Sequence, residues 1–86
     1  MVLIDRPLWH KDGKRWSHLI SNESLDELHC FAHTLGVPRR AFQGDHYDIP
    51  ESLISQALAE GATLVDPREL LRQLKAAGLR RSPTRE

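Results

Sequence analysis

The sequence predicts a small α/β domain in which two or three short, parallel strands pack with three helices. Three observations carry this expectation. Apolar residues recur at three- and four-residue intervals in three separate segments, each closed by a glycine; short apolar runs separate those segments; and more than thirty residues divide the first run from the next, enough for a crossover that contains a helix.

Val2-Leu3-Ile4 reads as a buried strand halted by Asp5-Arg6-Pro7. Asp5 then falls at the carboxyl end of the strand, where open α/β sheets gather ligands, although a carboxylate there caps a turn equally well. Leu8 to Ser21 mixes Trp9, His10, Lys11, Asp12, Gly13, Lys14, Arg15, Trp16 and His18 without either period, and reads as a long loop. Its two Trp side chains either anchor in the core, offer a stacking surface or enter a dimer interface.

From Ser24 the pattern turns helical, with Leu25, Leu28, Phe31, Ala32 and Leu35 on one stripe and Gly36 as the stop. Ser24 and Glu27 have the spacing of a capping box. His29 and His33 stand one turn apart, a spacing that suits either a shared metal or a solvated flank. Ala41-Phe42-Gln43 reads as a short strand after Arg39 and Arg40. Pro50 is preset for the first turn of a second helix, with Leu53, Ile54, Ala57 and Leu58 inward and Gly61 as its end, which puts Asp48 near a helix N-terminus. Ala62-Thr63-Leu64-Val65 reads as another buried strand. Asp66, Pro67 and Glu69 open a third helix whose stripe is Leu70, Leu71, Leu74 and Ala77, ended by Gly78.

At 86 residues the chain fits one domain, read as 1–79, followed by a basic flexible tail over 80–86. Twelve basic and twelve acidic side chains cancel, so the whole chain is no polycation for nucleic acid; the bases concentrate after residue 66. The single cysteine, Cys30, excludes an intramolecular disulfide and favours a reducing, cytoplasmic setting, and no apolar run approaches the roughly 18 residues that a membrane span needs.

The densest chemistry lies in Gly44-Asp45-His46-Tyr47-Asp48-Ile49-Pro50, where an imidazole and a phenol sit between carboxylates. A segment that only turned the chain would not need them. His46, Asp48, Asp5 and Tyr47 are the catalytic candidates, and Asp5, His18, His46 and Asp48 form a donor set suited to a divalent metal such as Zn, Mn or Mg. Arg39, His18, His29, Trp16 and Arg15 are candidates for substrate binding, Arg39 as a fork for an anion.

The chain resembles the bacterial and phage family called domain of unknown function 4031. The likeness rests on the opening strand ending in Asp5, Trp16-Ser17-His18-Leu19, Glu27-Leu28-His29-Cys30-Phe31-Ala32 with Leu35-Gly36, then Arg39, Phe42, His46-Tyr47-Asp48 and Gly61-Ala62, over most of the chain. His33 and Ile49 depart from the family pattern. The resemblance implies a compact soluble domain and a recurring polar set of Asp5, His18, His29, Arg39, His46, Tyr47 and Asp48, not a reaction. A shared polar set is more easily explained by a site than by packing.

Three functions follow from these residues. One is a hydrolase or nuclease-like enzyme that uses a divalent metal or a His base on a phosphate-bearing substrate. The second is a non-catalytic nucleic-acid or nucleotide module built on Trp9, Lys11, Lys14, Arg15 and Trp16. The third is an accessory interaction protein whose His and Asp residues form a structural network. No H-E-x-x-H, P-loop, paired Cys or G-x-S-x-G is present to select a reaction class.

Overall fold

Side-chain alternation along the first strand, β1 (Val2–Asp5), decides the architecture. Val2 and Ile4 enter one apolar cluster and Leu3 enters another, so the sheet is covered on both faces. The computed structural model describes residues 1–80. After β1 come β2 (Trp9–Lys11), β3 (Lys14–Ser21), α1 (Leu25–Thr34), a 3-10 turn over Arg39–Ala41, β4 (Tyr47–Pro50), a second 3-10 turn over Glu51–Leu53, α2 (Ile54–Ala59), β5 (Thr63–Val65) and α3 (Pro67–Ala76).

The class is α/β with three helices, as expected, but the sheet has five strands and is mostly antiparallel. Only β1 and β5 run parallel; β3 pairs antiparallel with β1, β2 and β4. The expected long loop is the cause of the difference. Asp12 and Gly13, with φ of 55° and 74°, make the two-residue turn that joins β2 to β3, both residues adopting the positive φ that suits the twist of a hairpin. This hairpin returns the chain beside β1 without any crossover helix.

β3 is the central strand. Leu19 pairs with both Ile4 and Tyr47, and Trp16 with both Trp9 and Pro50, so β1 and β2 share one edge of β3 while β4 takes the other. Between Ile4 and Trp9 the chain advances five positions against three on β3, and those extra residues bulge away from the ladder.

One face carries Val2, Ile4, Leu19, Tyr47 and Ile49 beneath Leu28 and Ala32 of α1, its C-cap Leu35, and Ala57 of α2. The other carries Leu3 and Ile20 beneath Leu70 and Leu74 of α3. Helix α1 begins where the spacing predicts, with the Ser24 hydroxyl accepting from the Glu27 N–H at 3.1 Å. The reciprocal half of that box is not formed. The Glu27 carboxylate instead accepts from the Ser21 hydroxyl at 2.5 Å and from the N-terminal ammonium, which hold its pKa below the ordinary carboxylate value. At α3, Asp66 caps the Glu69 N–H at 2.9 Å, while the Glu69 carboxylate turns to Arg72 and Gln73.

Other expectations change. Ala41-Phe42-Gln43 is not a strand: Ala41 ends the first 3-10 turn, and Phe42 makes one isolated bridge to Tyr47. Pro50 is both the last residue of β4 and the N-cap of the second 3-10 turn, which runs on into α2, so Asp48 lies in a strand two residues before the helical segment starts. Leu58 is exposed on α2, and β5 is an edge strand whose Thr63 and Leu64 face solvent, with Ala62 just before it buried. Arg80, the first residue of the expected tail, has its guanidinium 3.7 Å from Asp45; residues 81–86 lie outside the described part. Among the described residues no helix is long and apolar enough to cross a membrane.

Nothing lies within 4 Å of a Cβ built on Gly13, so its substitution tests backbone strain alone. Gly13→Val should cost about 1–2 kcal/mol and Asp12→Gly almost nothing, measured by urea unfolding. Equal effects would contradict the hairpin turn.

Candidate metal centre

Period-two alternation sorts the polar candidates onto two sides of the sheet. Leu3 and Asp5 on β1, His18 and Ile20 on β3, and Asp48 on β4 share the face that α3 covers. Helix α3 packs on Leu3 and Ile20. Next to them on the same side lie Asp5, His18, His46 and Asp48, the first three bordering a cleft against Leu70, Leu71 and Leu74 of α3.

Asp5 is the fixed point of this group. It is 1% exposed, and both carboxylate oxygens are engaged by one residue: Oδ1 accepts from the His18 backbone N–H at 2.6 Å and Oδ2 from His18 Nδ1 at 2.8 Å. The backbone contact occurs where the bulge takes a main-chain partner away from β3. A carboxylate has no hydrogen to give, so Nδ1 carries the proton and Nε2 is left with its lone pair directed away from Asp5. The Trp9 indole lies over the other side of the ring, its centroid 4.3 Å from that of His18 and its plane tilted 31°.

His46 is held in the same manner. Asp45, 3% exposed, accepts from His46 Nδ1 at 2.7 Å, and His46 Nε2 lies 3.2 Å from Asp48 Oδ1. His18, His46 and Asp48 each offer one donor atom within 4.8 Å of the others. Closing these atoms on one ion, with bonds of about 2.0–2.2 Å, requires side-chain movements of about an ångström. Each imidazole is thus backed by its own buried carboxylate, the arrangement that fixes tautomer and ring orientation in metal-binding histidines.

The electrostatics follow from the same contacts. The Asp48 hydrogen bond raises the pKa of His46 above 6.5 despite the opposing effect of burial, and Asp45 adds to the rise. Asp48 is correspondingly lowered, first by His46, against burial, and then by the charges of His46, His18 and Lys11. When protonated, His46 donates to Asp45 from Nδ1 and to Asp48 from Nε2, so its positive charge lies between two carboxylates where a cation would also be favoured.

The other candidates lie elsewhere. Tyr47 points to the opposite face, where it is buried and its hydroxyl sits 2.8 Å from His29 Nδ1. Phe42 packs edge-on to His29 at 4.6 Å, and the Arg39 guanidinium lies 5.9 Å from the Phe42 ring centroid. Burial, with a smaller contribution from Arg39, lowers the His29 pKa, and burial raises that of Tyr47. These residues form an aromatic cluster across the sheet from His46. His33 is exposed, and its neighbour one turn away is committed to Tyr47. Trp16 is half-buried and donates Nε1–H to the Lys11 carbonyl at 3.0 Å, while exposed Arg15 approaches His10 at 3.4 Å. Both Trp side chains are thus engaged within the chain. Asp45 and Arg80 are absent from the candidates that the sequence suggests, and Trp9 and Lys11 appear there only in a nucleic-acid surface, apart from the His and Asp residues they adjoin here. Asp45 stood in plain view beside His46; the others become neighbours only once the hairpin and α3 are placed.

Sign and geometry give two tests. The raised His46 pKa contributes stability fully present below pH 6.5 and lost as pH rises through the folded value; lowered Asp48 contributes stability present above 3.8 and lost as pH falls through its folded value. The pair is therefore most stabilising between those limits, and in NMR titration Asp48→Asn should lower the His46 pKa. An unmoved pKa would contradict the contact. Asp5→Asn should destabilise the fold by about 1–3 kcal/mol in thermal unfolding, because it leaves a buried donor pair imperfectly matched.

Neither a curated protein nor a solved structure matches the chain. A family model does: the one described as Protein of unknown function (DUF4031) matches residues 2–77, a stretch that contains every strand and helix named above. The chain belongs to that family.

Proposed function

We propose that this domain binds a divalent metal through His18 Nε2, His46 Nε2 and Asp48 and uses it to hydrolyse a phosphate-bearing substrate. The observation that carries the reading is that His18, His46 and Asp48 each bring one ligand atom within 4.8 Å of the others, while Asp5 and Asp45 occupy the Nδ1 side of the two rings. In this role Asp5 orients His18 and is not itself a ligand, since both its oxygens are engaged. Two imidazoles and one carboxylate suit Zn or Mn better than Mg, which prefers an all-oxygen shell.

Three protein ligands leave a coordination position for water or substrate, which is the mark of a catalytic as opposed to a purely structural zinc site. A metal there would polarise a phosphoryl oxygen and lower the pKa of bound water. His46 must lose its proton to ligate, so the apparent metal affinity should rise with pH through the raised His46 pKa. Lys11, which acts electrostatically on Asp48, and Arg80, at the far side beside Asp45, supply positive charge for an anionic substrate.

One observation favours the nucleic-acid reading: Lys11 and Trp16 line a hollow together with Asp48, so base and ring adjoin the centre. The contact of the Trp9 ring with His18 weighs against it, because stacking on bases needs free ring faces.

Protein purified without an affinity tag should hold near-stoichiometric Zn or Mn after dialysis against trace metal, read by elemental analysis. His46→Ala and Asp48→Ala should each lower the affinity at least tenfold, and His29→Ala should not. Metal retained by both ligand variants, or none held by the parent, would overturn the reading.

A further inference from the structure

The side of the centre facing α3 is unlike a nucleic-acid groove. His18 and His46, with Asp5 behind His18, open into a cleft of ≈ 270 Å³ whose other walls are Ile20, Pro67, Leu70, Leu71 and Leu74, with Arg80 also lining it. Leu70, Leu74 and Ile20 are 5%, 2% and 0% exposed, so the floor is set by the packed core and does not depend on a mobile side chain. On the side away from α3, Asp48 borders a smaller hollow of ≈ 160 Å³ that it shares with Lys11, Trp16 and Gln43. The three donors thus stand between an apolar cleft and a smaller hollow in which the Lys11 ammonium faces the Asp48 carboxylate beside Trp16, Ala41 and Gln43.

Resting on the metal-centre reading above, we propose that the substrate is a phosphate monoester of a small apolar alcohol. Its phosphoryl group lies at His18, His46 and Asp48, toward Lys11 and Arg80, and its hydrocarbon part lies in the cleft against α3. At about 30 Å³ for each small group, the cleft holds about nine of them, the size of a short alkyl chain or one substituted ring. A polynucleotide would instead need a continuous cationic track and rings free to stack, and it would leave the apolar cleft unused. Hydrolysis is then a simple exchange: the oxygen of water bonds to phosphorus, the bond from phosphorus to the ester oxygen breaks, and the alcohol departs with a proton from the water. Nothing is oxidised or reduced.

The test uses the full chain loaded with zinc and a series of alkylphosphonates from methyl to octyl, which bind without being cleaved. Affinity, read by isothermal titration calorimetry, should rise up to about fourfold per added methylene until the cleft is filled near six to eight carbons. Leu71→Asp should flatten this chain-length series. Leu71→Trp, which fills the cleft without placing a charge in it, should flatten it as well and guards against a folding defect in the first variant. Arg80→Gln should weaken every member by a similar factor. A zinc-loaded parent that binds methyl- and hexylphosphonate equally would overturn the substrate inference and leave the metal centre standing, as would a single-stranded oligonucleotide bound more tightly than hexylphosphonate. A parent that holds no zinc in elemental analysis would overturn both.

Discussion

A buried carboxylate at the place where β1 parts from β3 is the constraint on which the rest of this structure depends. Asp5 must be paired, because an unpartnered charge at 1% exposure would cost several kcal/mol. The partner it finds is His18, through both the backbone N–H and the ring. That double contact closes a gap in the ladder opened by the bulge between Ile4 and Trp9, and it also fixes an imidazole with Nε2 outward. A single local solution therefore serves both folding and the site. It follows that Asp5 cannot be replaced without a stability cost, so loss of function in an Asp5 variant cannot by itself be assigned to chemistry.

The second consequence is geometric. A five-stranded sheet with helices on both faces buries most of its residues, and α3 packs on Leu3 and Ile20. The same strands continue past these two residues, and alternation then delivers His18 and Asp48 to the same face, with His18 at the edge of a cleft against α3. Their pairing is a ladder position, His18 opposite Asp48, so the separation of these two side chains is set by strand spacing. His46 joins them from the turn that precedes β4, where Gln43 N–H donates to the His46 carbonyl at 2.8 Å. Rigid ladder positions together with one braced turn are a sound support for a site that must hold its donors within an ångström.

Much of this was legible from local signals, and the failures have identifiable causes. The Ser24 and Asp66 caps, the apolar stripes of α1 and α3 and the opening strand were read correctly because each depends on residues within one or two turns. The hairpin was missed although Asp12-Gly13 is among the strongest hairpin signals, because its flanks are polar and aromatic and show no apolar alternation. Without the hairpin, β3 had no reason to be central and the sheet had no reason to be antiparallel. The donor set Asp5, His18, His46 and Asp48 was gathered from chemistry alone, and the fold brings those residues together. Tyr47 shares the dense segment with His46, and Arg39 and His29 enter through the polar set that the family resemblance implies; in a strand, however, adjacent side chains oppose one another, and Tyr47 belongs with His29 on the far face. The apolar cleft could not be anticipated, since it depends on how far α3 extends over the sheet.

The proposed centre depends on which ring nitrogens meet the metal. The direct measurement is a long-range nitrogen–proton NMR spectrum of the five histidines during titration with zinc. His18 and His46 alone should shift, both should keep the proton on Nδ1 facing Asp5 and Asp45, and His10, His29 and His33 should be unmoved. Zinc-induced shifts at His29, or coordination of His18 or His46 through Nδ1, would contradict the proposed centre.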